Sequence, residues 1–362
     1  MRFKQFQDNW SSKRLSDIAE VVGGGTPDTT DSTLWNGDIQ WFTPTEVGHS
    51  KYVSTSIRTI SQLGLQKSSA KILPSGSILL SSRATVGECS IAQKDCTTNQ
   101  GFQSLIPKKS VNNEFLYYLA QTQKRHFIKY ASGSTFLEIS NSEIKKTKCA
   151  VPSIEEQTEI ATFLSAIDRK IEVQNKIISK YETLIKGLCD KIFRHDKSVC
   201  LSDLVKCKTS TLQENEIATY YDGKYKVFGA SGIIATIDKY QFEKDSILVL
   251  KDGSKAGKIQ YAGGKYSVVG TSVVLIPNNA DDARYLYFAM LSIDFDKYKV
   301  GSGIPHIYFK DYSYERIYYP NSALRAKIVK VLDAYETKVE IEKEMLSALQ
   351  KQKAFLLQSM FI

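Results

Sequence analysis

The sequence predicts an α+β protein with a pseudo-twofold internal repeat, in which two globular domains are separated by two long antiparallel helices that form an intramolecular coiled coil. Three observations predict it. The chain matches itself at a spacing of 168 residues, and a hydrophobic seam stepping by four and three closes each copy. Between the seams, short apolar runs bounded by Gly, Asp and Pro alternate with short helical patterns.

The repeat is the firmest of the three. From Gly133 to Phe193 the second half lies on the first without a gap, placing Gly133-Ser134 on Gly301-Ser302, Pro152 on Pro320, Leu164 on Leu332 and Phe193 on Phe361. Upstream the offset shifts, as loop insertions require. Leu15-Ser16-Asp17-Ile18 answers Leu201-Ser202-Asp203-Leu204 at 186, Ser77-Ile78-Leu79 answers Ser246-Ile247-Leu248 at 169, and Leu116-Tyr117-Tyr118 answers Leu286-Tyr287-Phe288 at 170. The first globular domain is therefore longer by 186 less 169, or 17 residues, taken up before residue 77. The boundaries fall at 1–150 for the first domain, 151–196 for the first helical spacer, 197–319 for the second domain and 320–362 for the second spacer. Two copies that differ mainly in their loops suggest two related readers of different targets; a duplicated scaffold without a recognition role is the alternative.

Within the first spacer the seam runs Ile160, Leu164, Ile167, Ile171, Gln174, Ile178, Tyr181, Ile185, Leu188, Ile192. Pro152 and the Ser-x-x-Glu capping box Ser153 to Glu156 mark its start. The second seam copies it through Ile328, Leu332, Tyr335, Val339, Glu342, Leu346, Leu349, Lys353, Leu356 and Met360, with Asn321 at the cap. Each helix of about 40 residues is about 60 Å long at 1.5 Å per residue. Neither can bury its stripe alone. Because only His195 to Cys200 separates the first helix from the second domain, the second helix is expected to return antiparallel along the first, with the domains at opposite ends. A homodimeric coiled coil is the competing use of the same seam. Gln174 and Glu342 hold the same polar seam position at the two midpoints, so antiparallel packing is expected to bring them together and set the register.

Composition is that of an ordinary globular protein, 42% hydrophobic and 24% charged. There is no run of eighteen apolar residues, and the opening Met1-Arg2-Phe3-Lys4-Gln5-Phe6-Gln7-Asp8 lacks a signal-peptide core, so a cytoplasmic location without membrane contact is expected. Cysteines at 89, 96, 149, 189, 200 and 207 and histidines at 49, 126, 195 and 306 lack zinc-ligand spacing. No metal is expected. Of the net charge of +9, residues 1–150 contribute 18 basic against 12 acidic side chains and 197–319 contribute 16 against 14, whereas the first spacer has 7 against 8. A basic surplus on the globular domains fits contact with a polyanion.

Loops of the first domain are rich in side chains that bond phosphates and base edges: Gly23-Gly24-Gly25-Thr26-Pro27, Trp41-Phe42-Thr43-Pro44-Thr45-Glu46 and Ser81-Ser82-Arg83-Ala84-Thr85. The second domain offers Lys251-Asp252-Gly253-Ser254-Lys255. These motifs, with Ile39-Gln40-Trp41-Phe42-Thr43, Ile78 to Gly87, Val151-Pro152-Ser153-Ile154-Glu155-Glu156-Gln157 and Ile167-Asp168-Arg169-Lys170-Ile171, carry a family resemblance. In their order and duplication they resemble the specificity subunit of a type I restriction-modification enzyme. Phe228 to Ile234 and Lys251 to Ser254 resemble another subclass of the same target-recognition domain. The second spacer departs from the pattern, with Asn321-Ser322-Ala323-Leu324-Arg325 in place of Ser153 to Gln157.

The resemblance implies a DNA-binding subunit, each domain reading one half of an asymmetric bipartite site in duplex DNA while the helices set the gap and dock two methyltransferase subunits. Restriction or translocase subunits are further implied partners, and S-adenosylmethionine, ATP and Mg belong to the partners. The chain itself is expected to bind no cofactor and to be non-catalytic. Gly253 to Ile259 fails as a P-loop, having three residues between its glycines and Ile after the lysine. Gly23-Gly24-Gly25 lacks dinucleotide spacing because Asp28 stands where a third glycine belongs, and no Pro-Pro exists for an adenine methyltransferase motif. The rival is a coiled-coil adaptor whose basic domains bind protein or RNA. Candidate DNA contacts, chosen by residue type and loop position, are Thr26, Trp41, Thr43, Thr45, Arg83, Thr85, Asn99, Gln100 and Ser134 in the first domain. In the second they are Lys251, Ser254, Lys255, Thr271, Ser302 and His306.

Overall fold

The computed structural model describes residues 2–133, 136–194, 197–217, 223–301 and 303–361. The chain forms two compact units, Met1–Val173 with Leu346–Ile362, and Gln174–Met345. Each holds one globular domain together with part of both long helices.

In the first unit a five-stranded sheet runs in the order Ala19–Gly23, Gln103–Pro107, Ile78–Leu80, Cys89–Ala92, Tyr52–Val53. The central strand is covered on both faces, which is why its three residues are all apolar. Ile78 and Leu80 join a core with Phe115, Tyr118 and the helix residues Ile160 and Leu164, while Leu79 on the other face packs with Phe42 and Phe102. Beside it stands a three-stranded sheet of Arg58–Ile60, Trp35–Phe42 and Cys96–Thr98, the last two parallel. Ser11–Arg14 pairs antiparallel with Lys148–Val151 and closes the domain.

The second unit repeats this plan. Its main sheet is Val205–Thr209, Ser272–Pro277, Ser246–Leu250, Ile259–Ala262. A three-stranded sheet of Gly232–Ile237, Tyr225–Gly229 and Tyr266–Val268 again contains a parallel pair, and Lys197–Cys200 pairs with Arg316–Tyr318. The extra length of the first domain becomes visible here. It supplies the edge strand Tyr52–Val53, parallel to Cys89–Ala92, and the short helix Gln62–Gln66; the second unit's main sheet has four strands and ends at Ile259–Ala262.

The long helices span Ile154–Phe193 and Ser322–Met360. They run antiparallel where they meet inside each unit. In the first, Lys353 bonds Asp168 at 2.7 Å, and Leu356 and Met360 enter the core beside Ile160, Leu164 and Ile167. Lys353, the break in the second seam, is thus a charged partner across the pair. In the second, Tyr181 meets Tyr335 with ring centroids 6.4 Å apart, and the Gln174 amide donates to the Glu342 backbone carbonyl at 3.0 Å and to its carboxylate. Toward its C-terminal end the first seam drifts by one position, Cys189 and Phe193 being fully buried while Leu188 and Ile192 are half-buried. A straight helix of 3.6 residues per turn drifts this way against a seven-residue repeat, and Phe193 is caught edge-on by Tyr285 of the second domain.

The helix starts differ from expectation in one detail. Ser153 accepts the Glu156 amide at 3.3 Å, the first half of a capping box, but the Glu156 carboxylate is taken by the Arg2 guanidinium through two bonds of 2.7 Å. A cation within reach outbids a neutral amide for an ionised acceptor. Asn321 caps the second helix through the Leu324 amide at 3.0 Å.

Candidate nucleic-acid interface

In the first domain the strand Ile78–Leu80 runs into a loop that is tightly determined. The amides of Ser81 and Gly87 bond across it to Glu88 and Ser81, and Ala84 sits at φ +63°, a left-handed conformation uncommon for a residue with a Cβ. Its amide is tied to the Leu137 carbonyl at 3.1 Å, and Arg83 forms a bridge and a 3.8 Å ion pair with Glu138. The outcome is an exposed Arg83 on a backbone with little freedom to move. Asn99 and Gln100 stand on the neighbouring loop, where Asn99 accepts the Gly101 amide at 2.9 Å and Gln100 accepts the Thr26 hydroxyl. Together Arg83, Ala84, Asn99, Gln100, Gly101, Pro44 and Phe136 line one open cleft.

The structure therefore brings Arg83, Asn99, Gln100 and Thr26 together. Thr45 and Thr85 are exposed on adjoining loops. Thr85 is held by the Ser81 hydroxyl at 2.9 Å, and the Thr43 hydroxyl donates to Glu46 at 2.7 Å, which commits it to the local turn. Trp41 does not belong to the surface. It is 4% exposed, packs edge-on against Trp35 at 5.0 Å and donates its indole N–H to the Gly25 carbonyl at 2.9 Å. Its role is to seat the glycine loop, because burial of its large apolar ring outweighs any polar use of one N–H. Ser134 and Ser302 lie outside the described residues.

The second domain builds the corresponding corner from different side chains. Lys251 follows the strand Ser246–Leu250 and is clamped on both sides, its amide on Thr271 at 2.8 Å and its carbonyl on the Ile307 amide at 2.9 Å. Asp252 takes the place of Arg83, and His306 that of Glu138. These two form the equivalent bridge, with His306 Nδ1 2.8 Å from the Asp252 carboxylate. The acid and base have thus changed sides. Ser254 and Lys255 project from the turn that Gly253 makes at φ +93°. Thr271, a DNA-contact candidate by residue type, does not serve as one: its hydroxyl is buried and without a hydrogen-bond partner among the described residues, so it is not offered to a ligand.

Choosing residues by polarity missed Phe136 and Ile304, which are 57% and 63% exposed at positions 168 apart. It also missed Arg58, whose guanidinium lies 3.6 Å over the Trp35 ring. The repeat held a signal for the first two, since it aligns an aromatic with an aliphatic beside the Gly133 and Gly301 turns. Burial pushes the thiols of Cys89, Cys96 and Cys189 up to about 12, far from a nucleophilic thiolate, and no cluster of metal-binding side chains occurs among the described residues. No helix among them is long and apolar enough to cross a membrane.

Comparison with known proteins agrees with this two-unit plan. The chain is 42% identical over 179 residues to the MjaIX type I restriction enzyme specificity subunit of Methanocaldococcus jannaschii, a match covering 48% of this chain and 41% of that one. It is 26% identical over 203 residues to the EcoR124I/EcoR124II specificity subunit of Escherichia coli, covering 51% and 50%. These matches thus take in half or less of each relative. A weaker likeness, 21% over 351 residues, runs along 89% of this chain and 86% of the EcoprrI specificity subunit of Escherichia coli. The crystal structure of a type I restriction-modification system S subunit from M. genitalium shares the fold at a TM-score of 0.61 and 18% identity, over 100% of this chain and 99% of that one. The model of the type I restriction modification DNA specificity domain matches residues 7–183 and again 196–351, one copy for each repeat. The chain belongs to that family.

Proposed function

We propose that this chain is the sequence-reading subunit of a type I restriction-modification enzyme, each domain contacting one half of a bipartite site in duplex DNA. One observation carries the reading: both domains present a rigidly held loop after the same central strand, bridged to the same second loop, but with different side chains on it. Arg83, Asn99 and Gln100 are the groups that bond guanine and adenine edges in the major groove, and Lys251, Ser254 and Lys255 suit phosphates and bases alike. Two scaffolds with one geometry and two chemistries read two different half-sites.

The long helices set the gap and dock two methyltransferase subunits. Supporting this, Phe163 and Val173 on the first helix and Val331 and Ile341 on the second are exposed apolar side chains at positions 168 apart. A duplicated apolar pair suits two copies of one partner. Methylation, translocation and cleavage, with S-adenosylmethionine, ATP and Mg, fall to the partners; this chain supplies no catalytic group and acts in the cytoplasm. The test is to map N6-methyladenine across the genome of the host with and without this gene. A bipartite motif that disappears on deletion is the expected result; an unchanged methylation map would overturn the reading.

A further inference from the structure

Each domain grips its own long helix at two pairs of repeat-equivalent positions, and the two grips differ in charge. At the first position Gln157 accepts the Asn112 amide at 3.0 Å and donates to the Pro152 carbonyl at 3.1 Å. Its counterpart Arg325 donates to the Asp282 carboxylate at 2.8 Å and to the Pro320 carbonyl at 2.6 Å. The bond to the proline carbonyl is kept, while a side chain that accepts the Asn112 backbone N–H is replaced by one that donates to a carboxylate. That ion pair is well buried, the Arg325 and Asp282 side chains being 11% and 6% exposed.

At the second position the polarity reverses. Glu114 of the first domain accepts from the Ser165 hydroxyl at 2.5 Å and the Lys51 amine at 3.0 Å. The equivalent residue in the second domain is Arg284, which donates to Asp333 at 2.9 Å and also bonds Glu336. Ser165 and Asp333 are themselves 168 apart. The position of Glu336 is held by another acid in the first repeat, Asp168, which Lys353 and Tyr118 bond, so the two helix faces differ at one residue: the domain's acid meets the Ser165 hydroxyl in one repeat, and its base meets Asp333 in the other.

We propose that these contacts key each domain to its own helix, so that the two domains cannot exchange places along the chain. On the second helix the first domain would set Glu114, with Lys51 beside it, against Asp333 where it now meets Ser165, and leave Arg325 facing Asn112. A buried charge would lose its partner, which is the costly way to break such a pair. In the reverse exchange Arg284 would keep one acid, Asp168 in place of Glu336, but find Ser165 in place of Asp333, and Asp282 would face the neutral Gln157. New loops can therefore be accepted within either domain, while transposing whole domains is excluded by docking. The inference stands apart from DNA reading, so its test measures stability.

In the full chain, residues 197–319 are replaced by a second copy of the equivalent residues 11–151, and thermal melting is compared with the native protein. The expected result is a melting temperature lower by at least about 6 °C. Arg325→Gln with Asp333→Ser, which copy Gln157 and Ser165 into the second helix, should raise the melting temperature of this chimera and lower that of the native chain. Opposite signs from one pair of substitutions are not expected of residues that merely pack. A chimera as stable as the native chain, a destabilised one that the pair fails to improve, or a native chain indifferent to the pair would each overturn the proposal.

Discussion

Arg83 and Phe136 line the same cleft with opposite chemistry, and their substitution should separate two components of binding. Arg83→Ala should weaken DNA binding by the assembled complex and reduce the slope of log affinity against log salt by about 0.9, the counterion effect of one phosphate contact, or else relax selectivity at one base if the guanidinium reads guanine. Phe136→Ala should weaken binding about 10-fold with the slope unchanged, since stacking or apolar insertion releases no counterion. Titrations at several salt concentrations check both. A residue of the docking network is sensitive to acid. Burial pushes the Glu114 carboxyl up, but hydrogen bonds from Ser165, Tyr52 and Lys51 outweigh it and hold the group below its ordinary value. A depressed carboxylate stabilises the fold above its unfolded pKa, and that contribution fades as pH falls through the folded one. Melting curves should therefore show the first domain losing stability below about pH 4.3, the usual Glu value, with a shallower loss in Glu114→Gln. The residue types in these loops were legible in the sequence. Which of them face outward was not, because Trp41 is buried in a cluster with Trp35, Ile60 and Ala70 that only the folded chain brings together.

At the scale of elements the helices were the most legible part, because a seven-residue period is written locally and needs no tertiary knowledge. The seam also marked Gln174 and Glu342 as facing positions, and the structure joins them. Gln174 is 5% exposed, so the contact is buried between the helices. Changing both to Leu should raise thermal stability by about 1 kcal/mol or more, as replacement of buried polar pairs often does. The same change should loosen register. A slip of one heptad is about 10 Å at 1.5 Å per residue, or about three base pairs at roughly 3.4 Å each, so methylation of sites with altered gaps should appear in the double variant. Unchanged melting and unchanged gap discrimination would refute this. The ties between Gln157 and Asn112 and between Arg325 and Asp282 were not legible. Their partners lie far apart in the chain, and nothing in either local pattern marks them.

Over the whole molecule, the repeat at 168 was enough to expect one plan used twice, and the shift from 186 to 169 located the insertion without revealing that it forms an edge strand. One property of the plan lay outside any pattern. The core of the first unit is completed by Leu356 and Met360, and Trp10 and Phe115 both pack against Phe361. Ending the chain after Met345 should therefore destabilise the first domain while leaving Arg83, Asn99 and Gln100 in place, and limited proteolysis should cut within residues 2–133 far faster than in the full chain. If the shortened protein resisted protease equally, those aromatic contacts would be dispensable. During biosynthesis the same arrangement imposes a wait. The ribosome must add 189 residues after Val173 before Ile362 exists, roughly 10–40 s at 5–20 residues per second. The domain made first is the last to be finished, and until the final turns of helix emerge its half-built core is open to chaperones and proteases.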